Sequence, residues 1–417
     1  MKNHKKQIWI INQFANTIEM PGHTRQYDLA KYLTKNRYKT TVFSSDFNLS
    51  LRKFFKEKKK FFYKSELINH SRWVWLAVLP YKRNDWRRYL NLISFCSNLS
   101  IQLLIRIIFS SLTFNKPKLV IASSPQLPAA FITLIICKLF KIQMIFEVRD
   151  IWPQILIDMN NMKENSFTYK VLKKMEKILY RHSDLIIVLS KGCVEYIRRE
   201  GGRSIDYFPN YANTDLFNYS TLPLEDSKFT LKRPFRIIYS GAHGAANDLK
   251  NVIRAAYYLK DLPIEIILVG DGPEKNNLKS LASGLENIVF KDPVPKKDMP
   301  SLLATADALL ISLADVNLFK YGVSPNKLFD AYAVGRPVIT TVSGIINEEV
   351  ENFNLGMAVP PGQPKKLSKA IIKLFNKDRS ERVTLGLNSR KMVERFYSKD
   401  SILNNYVDRI TKLIKEI

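Results

Sequence analysis

The sequence predicts an α/β fold in two halves, each built on a parallel sheet. Three observations carry this. Short β-rich apolar runs alternate with helical patterns across the first two hundred residues, and again from Arg236 to Asn376. A polar stretch from Pro209 to Pro234 separates the two alternations. The length, 417 residues, suits two domains, and at 46% hydrophobic the chain can fill two cores.

In the first half, strands are expected at Ile8–Asn12, Thr40–Ser44, Leu119–Ala122, Met144–Val148 and Leu185–Leu189. Helices are expected near Thr24–Asn36, Leu90–Leu112, Gln126–Phe140, Phe167–His182 and Lys191–Glu200, with Gly201-Gly202 closing the last. In the second half, strands are expected at Arg236–Ser240, Ile264–Val269, Ile288–Phe290, Ala308–Ser312 and Val338–Thr341. Helices fit Leu249–Leu259, Glu274–Ala282, Lys297–Thr305, Asn326–Val334 and Pro364–Asn376. From Arg379 to Ile417 the pattern is helical. The domains are thus expected at 1–208 and 235–396, with a linker over 209–234 and a C-terminal helix over 397–417.

Composition narrows the class. The net charge is +27, and residues 1–114 hold 21 Lys plus Arg against 6 Asp plus Glu. Such a basic face attracts nucleic acid or an anionic membrane surface. No zinc-finger, RNA-recognition or helix-turn-helix signature occurs, so the membrane surface is favoured and no nucleic-acid partner is expected. Cys96, Cys137 and Cys193 are far apart and form no CxxC, which suits a reducing cytoplasm and argues against a disulfide framework or a zinc site. The five His residues lack metal-ligand spacing. Gln7–Phe14 is too short for a secretory signal and reads as the first strand.

Leu90–Phe114 carries one charge, Arg106, and is long enough to span a bilayer, but Asn91, Ser94, Ser97, Asn98, Ser100, Gln102 and Arg106 dilute its apolarity. It reads as a helix that is buried or lies at a membrane interface, a transmembrane span being the alternative. The basic, aromatic segments Phe54–Lys64 and Arg72–Trp75 fit peripheral binding to anionic lipid. For the first of these a solvated amphipathic helix is the alternative.

The segment YGVSPNKLFDAYAVGRPVI, Tyr321 to Ile339, reads as loop, helix and buried strand in succession. Pro325 prepares the helix start and Gly335 ends it. Ser324, Asn326, Lys327 and Asp330 fall in the loop and first two turns, with Lys327 and Asp330 on one face. A helix N-terminus with a Lys and an Asp suits a nucleoside diphosphate: N–H groups and ammonium meet phosphate, and the carboxylate meets ribose hydroxyls.

This segment resembles the donor-binding signature of family 4 retaining glycosyltransferases, which have the GT-B fold. In that family a Glu, seven residues and a second Glu precede a small-residue-Gly-x-Pro turn. Asp330 stands at the second Glu, and Gly322 occupies the first. The form SPNKLFD is similar to the branch typified by N-acetyl-fucosaminyl transferases of O-antigen and capsule synthesis. The resemblance implies two Rossmann-like domains facing across a cleft, with the last helix crossing back to the first domain.

Further residues then acquire expected roles. Gly241 and Gly244, in the loop GAHG, let backbone approach phosphate, an ordinary turn being the alternative. Ala242 and Asn247 stand where the family usually has Arg and Lys, so Lys327 and backbone N–H groups carry more of the phosphate. His243 could meet the donor sugar or its phosphate, or be merely solvated. Gly270 and Gly272 match a turn near the nucleotide base, and Lys291–Met299 matches the segment that cradles it. On the acceptor side the resemblance points to Gly22, His23 and Arg25. Glu147, Arg149 and Asp150 end a strand, and Arg149 stands where the family often has His. Asp150 is the first candidate to orient or deprotonate an acceptor hydroxyl, an Arg149–Asp150 ion pair being the plain alternative. The expected catalytic set is Asp150, Lys327, Glu147 and Arg149. Ser190 reads as a helix cap beside Lys191, and Asn210 and Asn213 as hinge residues.

The absence of Asp-x-Asp disfavours a metal-dependent single-domain transferase, so no metal or other cofactor is expected. The implied donor is a UDP-sugar and the implied acceptor a polyprenyl-diphosphate-linked saccharide, at the inner face of the plasma membrane. Front-face attack is expected, the leaving phosphate taking the acceptor proton. Two other readings stand beside it: a non-hydrolysing nucleotide-sugar epimerase, and a catalytically impaired homologue serving as a membrane-bound assembly partner.

Overall fold

The computed structural model describes residues 6–20, 24–49, 53–54, 62–81, 85–112, 115–159, 162–217, 233–320 and 322–416. The chain divides into two compact units. One holds Met1–Phe208 with Leu403–Ile417, and the other Pro209–Ile402.

The first unit contains β1 (Gln7–Ile11), β2 (Lys39–Ser45), β3 (Phe47–Asn48), β4 (Lys53–Phe54), β5 (Tyr63–Ile68), β6 (Ser71–Leu76), β7 (Leu119–Ser123), β8 (Gln143–Val148), β9 (Leu185–Val188) and β10 (Ile205–Tyr207). Its main sheet runs β10-β9-β8-β7-β1-β2-β6-β5. Pairing is parallel throughout except for the β5–β6 hairpin. Central strands such as LVIAS and LIIV are buried along their whole length, as a parallel sheet covered by helices requires. Among the crossover helices, Phe167–His182 is well signalled. Ser166 caps it by accepting the Tyr169 N–H at 3.2 Å, and Arg181 and His182 sit in its last turn.

The β5–β6 hairpin corrects one expectation. RWVW is strand β6, with Trp73 and Trp75 1% and 2% exposed and stacked at 4.9 Å. These rings fill the core and are not available to lipid. Lys53–Phe54 and Tyr63–Lys64 lie in strands, so Phe54–Lys64 is not one helix; residues 55–61 lie outside the described residues. The helix Trp86–Leu112 is long and apolar enough to cross a membrane. However, its stripe of Phe95, Leu99, Leu103 and Ile107 is buried, and the helix serves as the crossover from β6 to β7.

The second unit contains β11 (Phe235–Ser240), β12 (Ile264–Val269), β13 (Ile288–Lys291), β14 (Ala308–Ser312), β15 (Val338–Thr341) and β16 (Gly356–Val359). All pairs are parallel, in the order β13-β12-β11-β14-β15-β16. The chain therefore winds outward from β11 one way, then returns to β14 and winds the other way. Neighbours β11 and β14 form the topological switch point, where the loops at their carboxyl ends diverge and leave a crevice. One face of the sheet is covered by Leu249–Tyr257 and Pro364–Asn376, whose Val252, Ile253, Leu367 and Ile371 join Ile237, Ile266 and Leu310 in the core.

Residues 209–217 are docked rather than a free crossing. Ala212 bridges Ser398 in parallel, and its N–H donates to the Tyr397 carbonyl at 2.9 Å. Residues 218–232 of the expected linker lie outside the described residues. The helical end is two helices, Arg379–Phe396, opened by an Asp378–Glu381 capping box, and Lys399–Lys415. From Leu403 the last helix belongs to the first unit. There Tyr406 stacks on Phe208 at 4.8 Å, Arg409 Nε donates to Asp206 Oδ2 at 2.6 Å, and Thr411 meets the Tyr38 hydroxyl at 2.8 Å.

Candidate active site

The second unit gathers most of the expected donor residues at its switch point. The helix Asn326–Val334 starts after Pro325 and stops at Gly335, whose φ of 70° is the left-handed stop that glycine favours. No side chain caps its start, and the Leu328 N–H donates back to the Pro325 carbonyl at 3.0 Å. Ser324 lies just before it and is held by Asn210. The Asn210 N–H donates to Ser324 Oγ at 3.0 Å, and its side-chain amide donates to the Ser324 carbonyl. Asn210, expected as a hinge, instead pins this loop. Asn213 accepts from Lys399 Nζ at 2.9 Å and is likewise tied down.

Lys327 runs from this helix to the end of the central strands. Its Nζ donates to Asn247 Oδ1 at 2.6 Å, the Ser312 carbonyl at 3.1 Å and Tyr239 Oη at 3.2 Å, and lies 4.5 Å from the Tyr239 ring centre. Its stem keeps some exposed surface, but the ammonium is enclosed, and burial lowers its pKa to about 7. No described carboxylate pairs with it. Asn247, at the position where the family usually has a Lys, thus supplies a neutral acceptor for Lys327. Asp330 lines one small pocket with Lys327, Ser240 and Leu310, and its carboxylate is paired with Lys296. The Lys296 ammonium also sits 5.5 Å from the Phe217 ring centre. Lys296 is not among the expected site residues, although it lies inside the Lys291–Met299 segment.

The loops after β11 and β12 are packed against each other. A Cβ on Gly270, whose φ is 147°, would fall 1.9 Å from the Gly241 carbonyl oxygen, and one on Gly272 would fall 2.4 Å from the His243 carbonyl. Gly270 and Gly272 are therefore set by loop-on-loop packing, whereas a Cβ on Gly241 would fall 2.9 Å from Tyr239 Oη. Only Gly244 of the four has open space at its Cβ position, leaving its backbone approachable.

His243 corrects an expectation. It is 0% exposed, between Tyr239 and Phe290 at ring separations of 6.3 and 6.0 Å, and neither ring nitrogen has a partner. Burial, reinforced by Lys275, lowers its pKa to about 4, so it is a neutral core ring and does not reach a donor. Its backbone does the local work: its N–H donates to the Asp271 carbonyl and its carbonyl accepts from Glu274 N–H, both at 2.9 Å.

In the first unit, Glu147 and Arg25 are also corrected. Arg25 Nε donates to Glu147 Oε2 at 2.9 Å, with both side chains 2% exposed. Glu147 Oε1 accepts from Ser123 Oγ at 3.2 Å and Gln26 Nε2 at 3.3 Å. Arg25 Nη2 also donates to the Phe208 carbonyl at 2.9 Å, and the guanidinium lies 5.8 Å from the Tyr406 ring centre. A charge this deeply buried must be paired, and the pair is saturated by protein. Both residues join the strand ends to the last helix and are not placed to meet substrate. Gly22 and His23 lie outside the described residues.

Asp150 is solvent-accessible at the turn after β8, and Arg149 beside it is half-buried. Ser124 Oγ fixes the turn by accepting the Arg149 N–H at 2.9 Å. The protein crowded around Asp150 raises its carboxyl pKa, while Arg149 acts in the opposite direction. The next helix has Gly192 at its cap position, and the Ser190 carbonyl accepts the Cys193 N–H at 3.2 Å. Lys191 Nζ lies 5.3 Å from the Tyr207 ring centre.

Comparison with known proteins agrees with this arrangement. Residues 234–377 match the family model described as glycosyl transferases group 1. The chain is 22% identical over 282 residues to the probable glycosyltransferase WbjE of Pseudomonas aeruginosa, covering 64% of this chain and 68% of that protein. It is 26% identical over 226 residues to WcaI of Escherichia coli K12, a candidate colanic acid biosynthesis glycosyl transferase, covering 50% of this chain and 51% of that one. The match thus spans two thirds of the first relative and half of the second. Among solved structures, sucrose-phosphate synthase from Thermosynechococcus elongatus superposes with a TM-score of 0.73 at 16% identity, covering 99% of this chain and 100% of the other. Anabaena HepE in complex with UDP and glucose does so at 0.69 and 15%, covering 98% and 100%. Residues 234–377 therefore match a glycosyl transferases group 1 domain, and the chain is a glycosyltransferase of the GT-B fold.

Proposed function

We propose that this glycosyltransferase moves a sugar, with retention, from a UDP-sugar to a polyprenyl-diphosphate-linked saccharide during surface polysaccharide synthesis. The single observation that carries the donor side is Lys327. It is an ammonium at the switch point, held by neutral acceptors beside the N-terminus of Asn326–Val334. A diphosphate gaining charge as the glycosidic bond breaks would be met by Lys327, the first helical N–H groups and the Gly244 backbone. Asp330, steadied by Lys296, is assigned to the ribose hydroxyls. The matched names support surface polysaccharide synthesis: WcaI, named for colanic acid biosynthesis, is joined by an Escherichia coli O-antigen chain mannosyltransferase at 23% identity over 158 residues. HepE, solved with UDP, supports the nucleotide.

On the acceptor side Asp150 is assigned the hydroxyl. Its raised pKa makes it a better base than an ordinary carboxylate. The donor sugar is read as an N-acetylated amino or deoxyamino sugar, and the reaction as metal-independent at the cytoplasmic membrane face.

The test is transfer of radiolabel from a panel of UDP-sugars into polyprenyl-diphosphate-GlcNAc, with and without EDTA. Label entering the lipid phase with EDTA present supports the reading and names the donor. A second reading, an impaired assembly partner, rests on Gly322, which replaces the family's first Glu, and on the neutral Ala242 and Asn247. UDP binding with no transfer from any donor would favour it.

A further inference from the structure

The first unit holds a second cationic site, at the opposite end of its sheet from the Asp150 turn. A cavity of about 500 Å³ lies where β1, β2 and β6 begin, under the later turns of helix Trp86–Leu112. This is within the range of about 300–1,000 Å³ found for small-molecule sites. Lys39, Arg72 and Arg106 line it, with Gln102 and Tyr63. Among the described residues no carboxylate pairs with any of the three cations. Arg106 Nε donates to Gln102 Oε1 at 3.2 Å, and its guanidinium lies 5.2 and 5.9 Å from the Tyr63 and Phe43 ring centres. Burial lowers the Arg106 pKa, Tyr63 acts to raise it, and the like charge of Arg72 lowers it again. Two guanidiniums that repel each other in one cavity, with no acid between them, form a receptor for an external anion.

The rim of the cavity is apolar. Ile105 and Phe109 line it and are 44% and 65% exposed. They continue an exposed stripe along the same helix through Trp86, Tyr89, Ile93, Ile101 and Ile108, mostly at helical spacing. On the helix Leu127–Leu139, Ile135 and Leu139 are exposed as well. Neither helix contains an acidic residue, and Arg87 and Arg88 add further exposed positive charge. An apolar face free of acids, bordering a cavity of unpaired cations, matches a bilayer with anionic headgroups.

We propose that this cavity binds the phosphate-bearing headgroup of an anionic phospholipid while the outer stripe of Trp86–Leu112 enters the acyl layer. The proposal deepens the lipid-linked acceptor reading. It is tested by binding without transfer, so the two fail separately.

The full chain is floated with phosphatidylcholine vesicles, and with vesicles in which roughly a third of the lipid is phosphatidylglycerol. Binding to the anionic vesicles is expected to be ~10-fold stronger. Arg72→Gln with Arg106→Gln is expected to remove that difference, and Ile101→Gln with Ile108→Gln to weaken binding to both. Lys39→Gln with Arg72→Gln, at exposed positions, serves if the Arg106 change unfolds the protein. Lys369→Gln with Lys373→Gln removes equal charge from the second unit and is expected to leave binding unchanged. Equal binding to both vesicles, or equal loss in the cavity and control variants, overturns the proposal. So does saturable binding of glycerol 3-phosphate at the cavity with no vesicle binding, which would assign the site to a free phosphate ester.

Discussion

The Nζ of Lys327 lies 2.6 Å from Oδ1 of Asn247, so an enclosed ammonium is held by neutral groups only. Its charge is positioned and not neutralised, which is what a leaving diphosphate needs. Lys327→Gln is expected to lower kcat by ~10²–10³ with the fold intact, checked by initial rates and circular dichroism.

The same group sets a pH dependence. Burial has lowered the Lys327 pKa to about 7, so the ammonium is present below that pH and lost above it. In the free enzyme kcat/KM should therefore fall by roughly tenfold per pH unit above neutrality. Bound diphosphate favours the charged form, so the fall in kcat should occur at higher pH. A kcat/KM that stays level to pH 9 would remove Lys327 from the role.

Asp330 and Lys296 form one unit, so their substitutions should not add. Asp330→Asn and Lys296→Gln are each expected to raise the donor KM, and the double variant to be little worse than either alone. A thermodynamic cycle on donor affinity, by calorimetry with UDP, checks this.

His243→Leu should retain activity and gain stability of about 1–3 kcal/mol, because two unpaired buried nitrogens are replaced by carbon. The pH trend follows from the sign. The unfolded His takes a proton near its ordinary value of 6.5, and the folded one only near 4. The native chain therefore loses stability as pH falls through that window, and the advantage of the Leu variant grows. Urea unfolding at several pH values measures it.

Breaking the Arg25–Glu147 pair from one side should cost about 3–5 kcal/mol, since a buried guanidinium loses its counter-charge. Arg25→Met with Glu147→Gln should recover much of that loss. If Glu147→Gln were fully stable and inactive, Glu147 would return to the catalytic set.

The parallel sheets were legible because buried parallel strands are continuous apolar runs. Ile264–Val269, Ala308–Ser312 and Val338–Thr341 were expected at the bounds they have. Helix Asn326–Val334 was legible through Pro325 and Gly335. What escaped depends on partners distant in sequence. Arg25 and Glu147 are 122 residues apart, and each alone reads as a polar group ready for substrate. His243 reads as a solvated loop residue until β12 and β13 bring Gly270 and Phe290 against it. The aromatic β6 looked like a lipid contact because its alternation spans only a few residues and its partner β5 is polar on one face. Lys296 was hidden among neighbouring lysines, and only the position of Asp330 singles it out.

The return of Leu403–Ile417 to the first unit carries a consequence for biosynthesis. Phe208 and Asp206, at the end of that unit's sheet, find Tyr406 and Arg409 only after some two hundred more residues have been made. On the ribosome the second unit can therefore close while the first still lacks its final helix. The order of completion runs opposite to the order of synthesis, and a chain truncated near residue 400 would leave the earlier-made unit as the unfinished one.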